Sequence, residues 1–119
     1  MDLRRIASVL EADVICGRDY LDIEIPVAYA SDLMSDVLAF ATAGSLLLTG
    51  LTNPQVVRTA EMADIAAVCF VNGKRPQQDT ISLAKGRRIP LLATRLFMYG
   101  CCGRLHVKGL AGGNDSGSI

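Results

Sequence analysis

The chain has one histidine, no Cys-x-x-Cys spacing, no long apolar run and no net charge, and each shortage removes a class of function. A lone imidazole, His106, is a poor basis for a metal cluster, so no metal is expected. Without metal-ligand spacing, Cys16, Cys69, Cys101 and Cys102 read as buried, reduced thiols that act as small hydrophobes. The adjacent Cys101 and Cys102 could form a redox or soft-metal handle, but neighbouring side chains on a helix point in different directions. No stretch approaches the ~20 residues of a membrane span, and Met1 to Ile6 lacks the apolar core of a signal peptide. A cytoplasmic protein without a membrane partner is expected. Lys+Arg and Asp+Glu are 12 each, so no overall field attracts nucleic acid. Neither Gly-x-Gly-x-x-Gly nor Gly-x-x-x-x-Gly-Lys-Ser/Thr occurs, which argues against nucleoside triphosphate hydrolysis.

What is present is a chain of 119 residues, 50% hydrophobic and only 20% charged. That length suits one domain able to bury about two-thirds of its unfolded surface. The apolar excess leaves surface for a second copy, and a homodimer is expected. Residues 1–111 read as a single α/β domain and 112–119 as a flexible Gly/Ser-rich tail.

Leu46 to Pro54 carries the organising pattern. An apolar strand ends at Thr49 and Gly50, Thr52 or Asn53 can cap the next helix, and Pro54 fits its first turn. Before it, Leu3, Ile6, Ala7, Val9 and Leu10 recur at helical spacing. Ala12 to Cys16 reads as a strand, Leu21 to Ile25 as a half-exposed strand alternating apolar with acidic, and Val27 to Ala30 as another. Ser31 or Asp32 can cap a helix over Leu33 to Ala41, with Leu33, Val37, Phe40 and Ala41 as its stripe. After it come a helix from Pro54 to Met62, a strand over Ile65 to Val71, and a helix capped by Asp79 or Thr80 and stopped by Gly86. A strand over Ile89 to Thr94 follows, then a helix capped by Thr94 and running to about Arg104, with Leu105 to Val107 as an apparent strand.

From Leu46 to Val68 to Leu91 the strands recur at roughly 22-residue spacing with helices between, the signature of right-handed crossovers and a parallel sheet. Their carboxyl ends then share one edge, where open α/β sheets bind ligands. The candidate ligand-binding residues there are Thr49, Thr52, Asn53, Asn72, Lys74 and Thr94, with spare donors near helix amino ends. Asp32 and Asp36, one helical turn apart, form a carboxylate pair suited to a hydroxyl or cation. Each can also be a cap or a turn residue, Asn72-Gly73 being a tight-turn pair.

Several ordered phrases resemble the DRTGG domain family over about Asp13 to Leu110. They are Ala30 to Ala39 (ASDLMSDVLA), Thr52 to Val57 (TNPQVV), Phe70 to Pro76 (FVNGKRP) and Ile89 to Thr94 (IPLLAT). The name-giving letters are poorly kept: Gly50-Leu51-Thr52 stands in place of Asp-Arg-Thr, and Val71-Asn72-Gly73 in place of Thr-Gly-Gly. The resemblance implies a three-layer α/β/α unit with a largely parallel central sheet, similar to the amino-terminal, non-catalytic domain of HPr kinase/phosphorylase. It also implies a regulatory attachment of the kind found beside CBS pairs, and for free-standing copies an association with redox and hydrogenase-type systems.

Three functions compete on these residues. The leading one is a non-catalytic regulatory or ligand-sensing homodimer that binds a small anionic or nucleotide-like ligand at the strand ends. A second is a structural partner or assembly factor of a redox enzyme, with no ligand. The third is a small enzyme using Asp32 or Asp36 as base, with Lys74 and Arg95 holding an anion.

Overall fold

The middle of the sheet is built from strands that are apolar on both faces. In the computed structural model, which describes residues 1–113, the elements are α1 (Leu3–Val9), β1 (Asp13–Cys16), a 3-10 turn (Arg18–Tyr20), β2 (Ala28–Ala30) and α2 (Met34–Phe40). They continue with β3 (Leu46–Thr49), α3 (Pro54–Met62), β4 (Ala67–Phe70), α4 (Gln78–Arg87), β5 (Leu91–Ala93) and α5 (Met98–Val107). Every residue of β3, β4 and β5 is buried, as strands covered by helices on both sides require.

The order across the sheet is β1-β5-β4-β3-β2. β2 to β5 are parallel, and β1 closes the edge antiparallel to β5. Register follows burial: Leu46 lies opposite Ala67, and Val68 opposite Leu91. Alternate residues of one strand feed two cores. Leu46 and Leu48 meet Leu3, Ile6, Leu10, Cys101 and Leu105 of α1 and α5 on one face. Leu47, Val68 and Phe70 meet Val37, Val56, Ala60 and Ala84 of α2, α3 and α4 on the other. The result is a three-layer α/β/α domain. Each fully buried leucine contributes roughly 1.5–3 kcal/mol of transfer free energy.

Helix stops here are mostly not glycines. Glu11 (φ 51), Asp64 (φ 58) and Arg88 (φ 58) take the left-handed conformation after α1, α3 and α4, and Gly109 (φ 100) does so after α5. In each case the next residue, Ala12, Ile65, Ile89 or Leu110, bonds back to a carbonyl five residues earlier, for example Ile65 N to Ala60 O at 2.8 Å. This is the Schellman arrangement, sealed by an apolar residue just beyond the stop. Gly86 is therefore not the stop of α4 but lies inside it.

Other expectations need correcting. Leu21 to Ile25 is not a sheet strand: Leu21 and Ile23 carbonyls accept from Arg4 N and Leu3 N, so the segment straps the start of α1. Its alternation records burial of Leu21 and Ile25 against the α1 face. Neither Ser31 nor Asp32 caps α2, whose cap position is Leu33, and the stripe is reduced to Val37 as its fully buried member. Gln77, not Asp79 or Thr80, precedes α4, while buried Thr80 donates its hydroxyl to Thr52 O at 2.7 Å. Phe97 precedes α5 in place of Thr94, and Leu105, His106 and Val107 continue that helix instead of forming a strand. In the stretch read as a tail, Gly112 pairs in parallel with Ala28, and residues 114–119 lie outside the described residues.

Candidate functional site

The ends of β3, β4 and β5 do share one edge, and seven of the eight residues proposed for it divide into three groups, with Asp36 standing apart. The first is a latch. Asp32, in the turn after β2, uses one carboxylate oxygen, Oδ1, to accept both the Thr49 hydroxyl at 3.0 Å and the Gly50 N–H at 2.7 Å. Thr49 Oγ1 in turn accepts from Leu51 N at 3.2 Å. A Cβ added to Gly50 would lie 3.3 Å from Asn72 Nδ2 and 3.5 Å from Asp32 Oδ1, so side chains from two loops crowd this glycine. Asp36 is not part of the latch. Because α2 begins at Met34, Asp32 precedes the helix and turns toward β3, and the two aspartates do not pair along one helix face.

The second group consists of structural caps. Asn53 Oδ1 accepts from Gln55 N at 3.1 Å, the N-cap bond of α3, with Pro54 in the first turn. Thr52 contributes its carbonyl, which takes both the Thr80 hydroxyl and Gln77 N. Asn72 (φ 65) and Gly73 (φ 72) form the tight turn after β4, and Asn72 Oδ1 accepts from Met98 N at 3.2 Å, satisfying a free amide at the start of α5.

The third group opens onto a cleft of about 430 Å³ whose walls include Lys74, Arg75, Thr94, Arg95, Glu11 and Asp13. Thr94 is buried and committed: its hydroxyl donates to Leu10 O at 2.6 Å and accepts from Leu96 N at 3.2 Å. It serves as a wall that fastens the end of α1, not as a free donor. Arg75 pairs with Asp13 at 3.0 Å, and Arg104 pairs with Glu11 at 2.6 Å. No ion pair engages Lys74 or Arg95 among the described residues. Glu11, Asp13 and Arg104 escaped sequence reasoning because their partners are 62 and 93 residues away, beyond any local pattern.

His106 belongs elsewhere, to an apolar groove of about 480 Å³ beside β2 that it lines with Ala28, Leu48, Tyr99 and Cys102. Among the described residues no group of three or more His, Cys, Asp or Glu side chains could hold a metal ion. The four thiols are unpaired. Burial raises the pKa of Cys16, Cys69 and Cys102, and pushes Cys101 up from 9.0 to about 11, with the neighbouring Cys102 adding to the shift. Such thiols are poor nucleophiles and poor ligands at neutral pH. No described helix is long and apolar enough to cross a membrane.

No family model and no curated protein matches the sequence. The fold, however, is similar to a solved structure of the CBS and DRTGG domains of the regulatory region of Clostridium perfringens pyrophosphatase, complexed with the activator diadenosine tetraphosphate. The TM-score is 0.70 at 17% identity. The match covers 92% of this chain and 47% of that one, so the present chain spans about half the length of its structural neighbour, and the likeness supports a DRTGG-like fold.

Proposed function

We propose that the protein is a non-catalytic, ligand-sensing regulatory module that takes a small anionic or nucleotide-like ligand at the carboxyl ends of its parallel strands and works as a homodimer. The carrying observation is the cleft walled by Lys74 and Arg95, cations that no described acid neutralises. Its volume falls in the range of small-molecule sites. A fold shared with the regulatory region of a pyrophosphatase, solved with a nucleotide activator, favours sensing over catalysis. The enzyme alternative is weakened because Asp32 Oδ1, one of its two candidate bases, already accepts two hydrogen bonds, and the other, Asp36, lies apart from the cleft walled by Lys74 and Arg95. Dimerisation is supported by α5 and the residue before it, where Phe97, Tyr99 and Val107 are 70%, 91% and 82% exposed.

The test is calorimetry with a panel of mono- and dinucleotides on the parent and Lys74→Ala, paired with sedimentation velocity. An exposed loop lysine should change stability by less than about 0.5 kcal/mol on truncation, yet its loss should weaken nucleotide binding. Equal affinities for the parent, Lys74→Ala and Arg95→Ala would remove the strand-end site. A species of only 12.7 kDa at micromolar concentration would remove the dimer.

A further inference from the structure

Building on the strand-end cleft as the ligand site, we infer that the group it accepts is a phosphate-type dianion held between Lys74 and Arg95. Five ionisable side chains line the cleft: Lys74, Arg75, Arg95, Glu11 and Asp13. Taken alone they sum to one positive charge, but the pairing matters more than the sum. Asp13 is engaged by Arg75, and Glu11 by Arg104, which reaches in from α5 and also donates to Val9 O. Both acids are thereby neutralised, and two cations in one concavity remain without a counter-charge. A cleft that gathers charge of one sign focuses its field on a complementary ion.

A carboxylate would leave one of the two charges unanswered. A phosphate monoester or pyrophosphate group answers both and presents several oxygens, which suits an ammonium acting as a point charge opposite a guanidinium acting as a fork. Backbone donors narrow the choice of contacts further. The N–H groups of Asn72, Gly73, Lys74 and Leu96 are consumed within the loops. Those of Arg75 and Arg95 bond to no described residue and lie beside the cations. The anion is thus held chiefly by side-chain charge, with these amides as further donors, and binding is sensitive to salt. A cleft of about 430 Å³ is larger than a bare phosphate needs and leaves room for the organic remainder of the ligand.

The experiment titrates the intact protein with inorganic pyrophosphate, inorganic phosphate and acetate at low ionic strength, at a pH where phosphate is doubly charged, following amide chemical shifts and heats. Phosphate and pyrophosphate are expected to shift the amides of Lys74, Arg75 and Arg95 and to bind at least about tenfold more tightly than acetate. Lys74→Ala and Arg95→Ala should each weaken pyrophosphate about tenfold at an unchanged melting temperature, while Lys108→Ala, on an exposed residue outside the cleft, should match the parent. Acetate binding as tightly as phosphate, with the same dependence on Lys74, would overturn the dianion assignment and leave the ligand site standing. No anion binding, or losses with Lys108→Ala equal to those with Lys74→Ala, would overturn both.

Discussion

Replacing Asp32 by alanine should cost about 2 kcal/mol, because one carboxylate oxygen closes the loop after β2 onto the end of β3. The substitution removes two hydrogen bonds to a charged acceptor, each of which contributes roughly 1.5–3 kcal/mol when well buried. Asp32 is itself exposed, so water offsets part of that loss, whereas the donors it leaves behind, the Thr49 hydroxyl and Gly50 N–H, are buried and less easily rehydrated. Thr49 keeps its bond from Leu51 N, which limits the damage at that residue. For a domain of this size about 2 kcal/mol corresponds to a fall in Tm of roughly 10 °C. Asp32→Asn keeps an acceptor oxygen in place and should lose less than half as much. Urea unfolding of Asp32→Ala, Asp32→Asn, Thr49→Val and the Asp32/Thr49 double variants would measure these costs and the coupling between the two side chains. Loss below about 0.5 kcal/mol for Asp32→Ala, or additive effects of the two sites, would refute the latch.

Two other predictions follow from packing and ionisation. Gly17→Ala should destabilise the fold by more than about 2 kcal/mol, since its φ is +86° and a Cβ would sit 2.6 Å from Pro90 Cα; a parent-like urea midpoint would show that β1 and β5 can separate there at little cost. Stability should fall as pH rises from 9.0 toward about 11, because the fold keeps Cys101 protonated where the unfolded chain releases its proton. Unfolding curves that are flat across that window in the parent, or equally steep in Cys101→Ala, would contradict this.

Much of the sheet and its crossovers was legible because the signals are local. Asn53 and Pro54 announce α3 within three residues, and the short apolar runs around Leu47, Val68 and Leu92, bounded by turn residues, suit buried central strands. Leu21 to Ile25 misled because alternation of apolar and acidic residues reports burial on one side, whatever the backbone does, and here the burying surface is a helix. The end of α3 at Met62 was legible, but the left-handed conformation of Glu11, Asp64 and Arg88 carried no signal because such stops are expected at glycine. At the strand ends the sequence named loops that the fold brings together but could not sort their side chains. Whether a threonine is a free donor or a fastener depends on its partner, and that of Thr94 is Leu10, 84 residues distant.

The turn at Asn72 has a mechanical consequence. Its backbone N–H bonds to Leu96 O at 2.8 Å, Gly73 N bonds to Thr94 O at 3.1 Å, and its side chain receives Met98 N. The loops after β4 and β5 are thus riveted together, and the rivet ends on the first residue of α5. The two loops and the start of α5, the helix that displays Tyr99 and Val107, therefore form one hydrogen-bonded unit, and Asn72→Ala would loosen all three together.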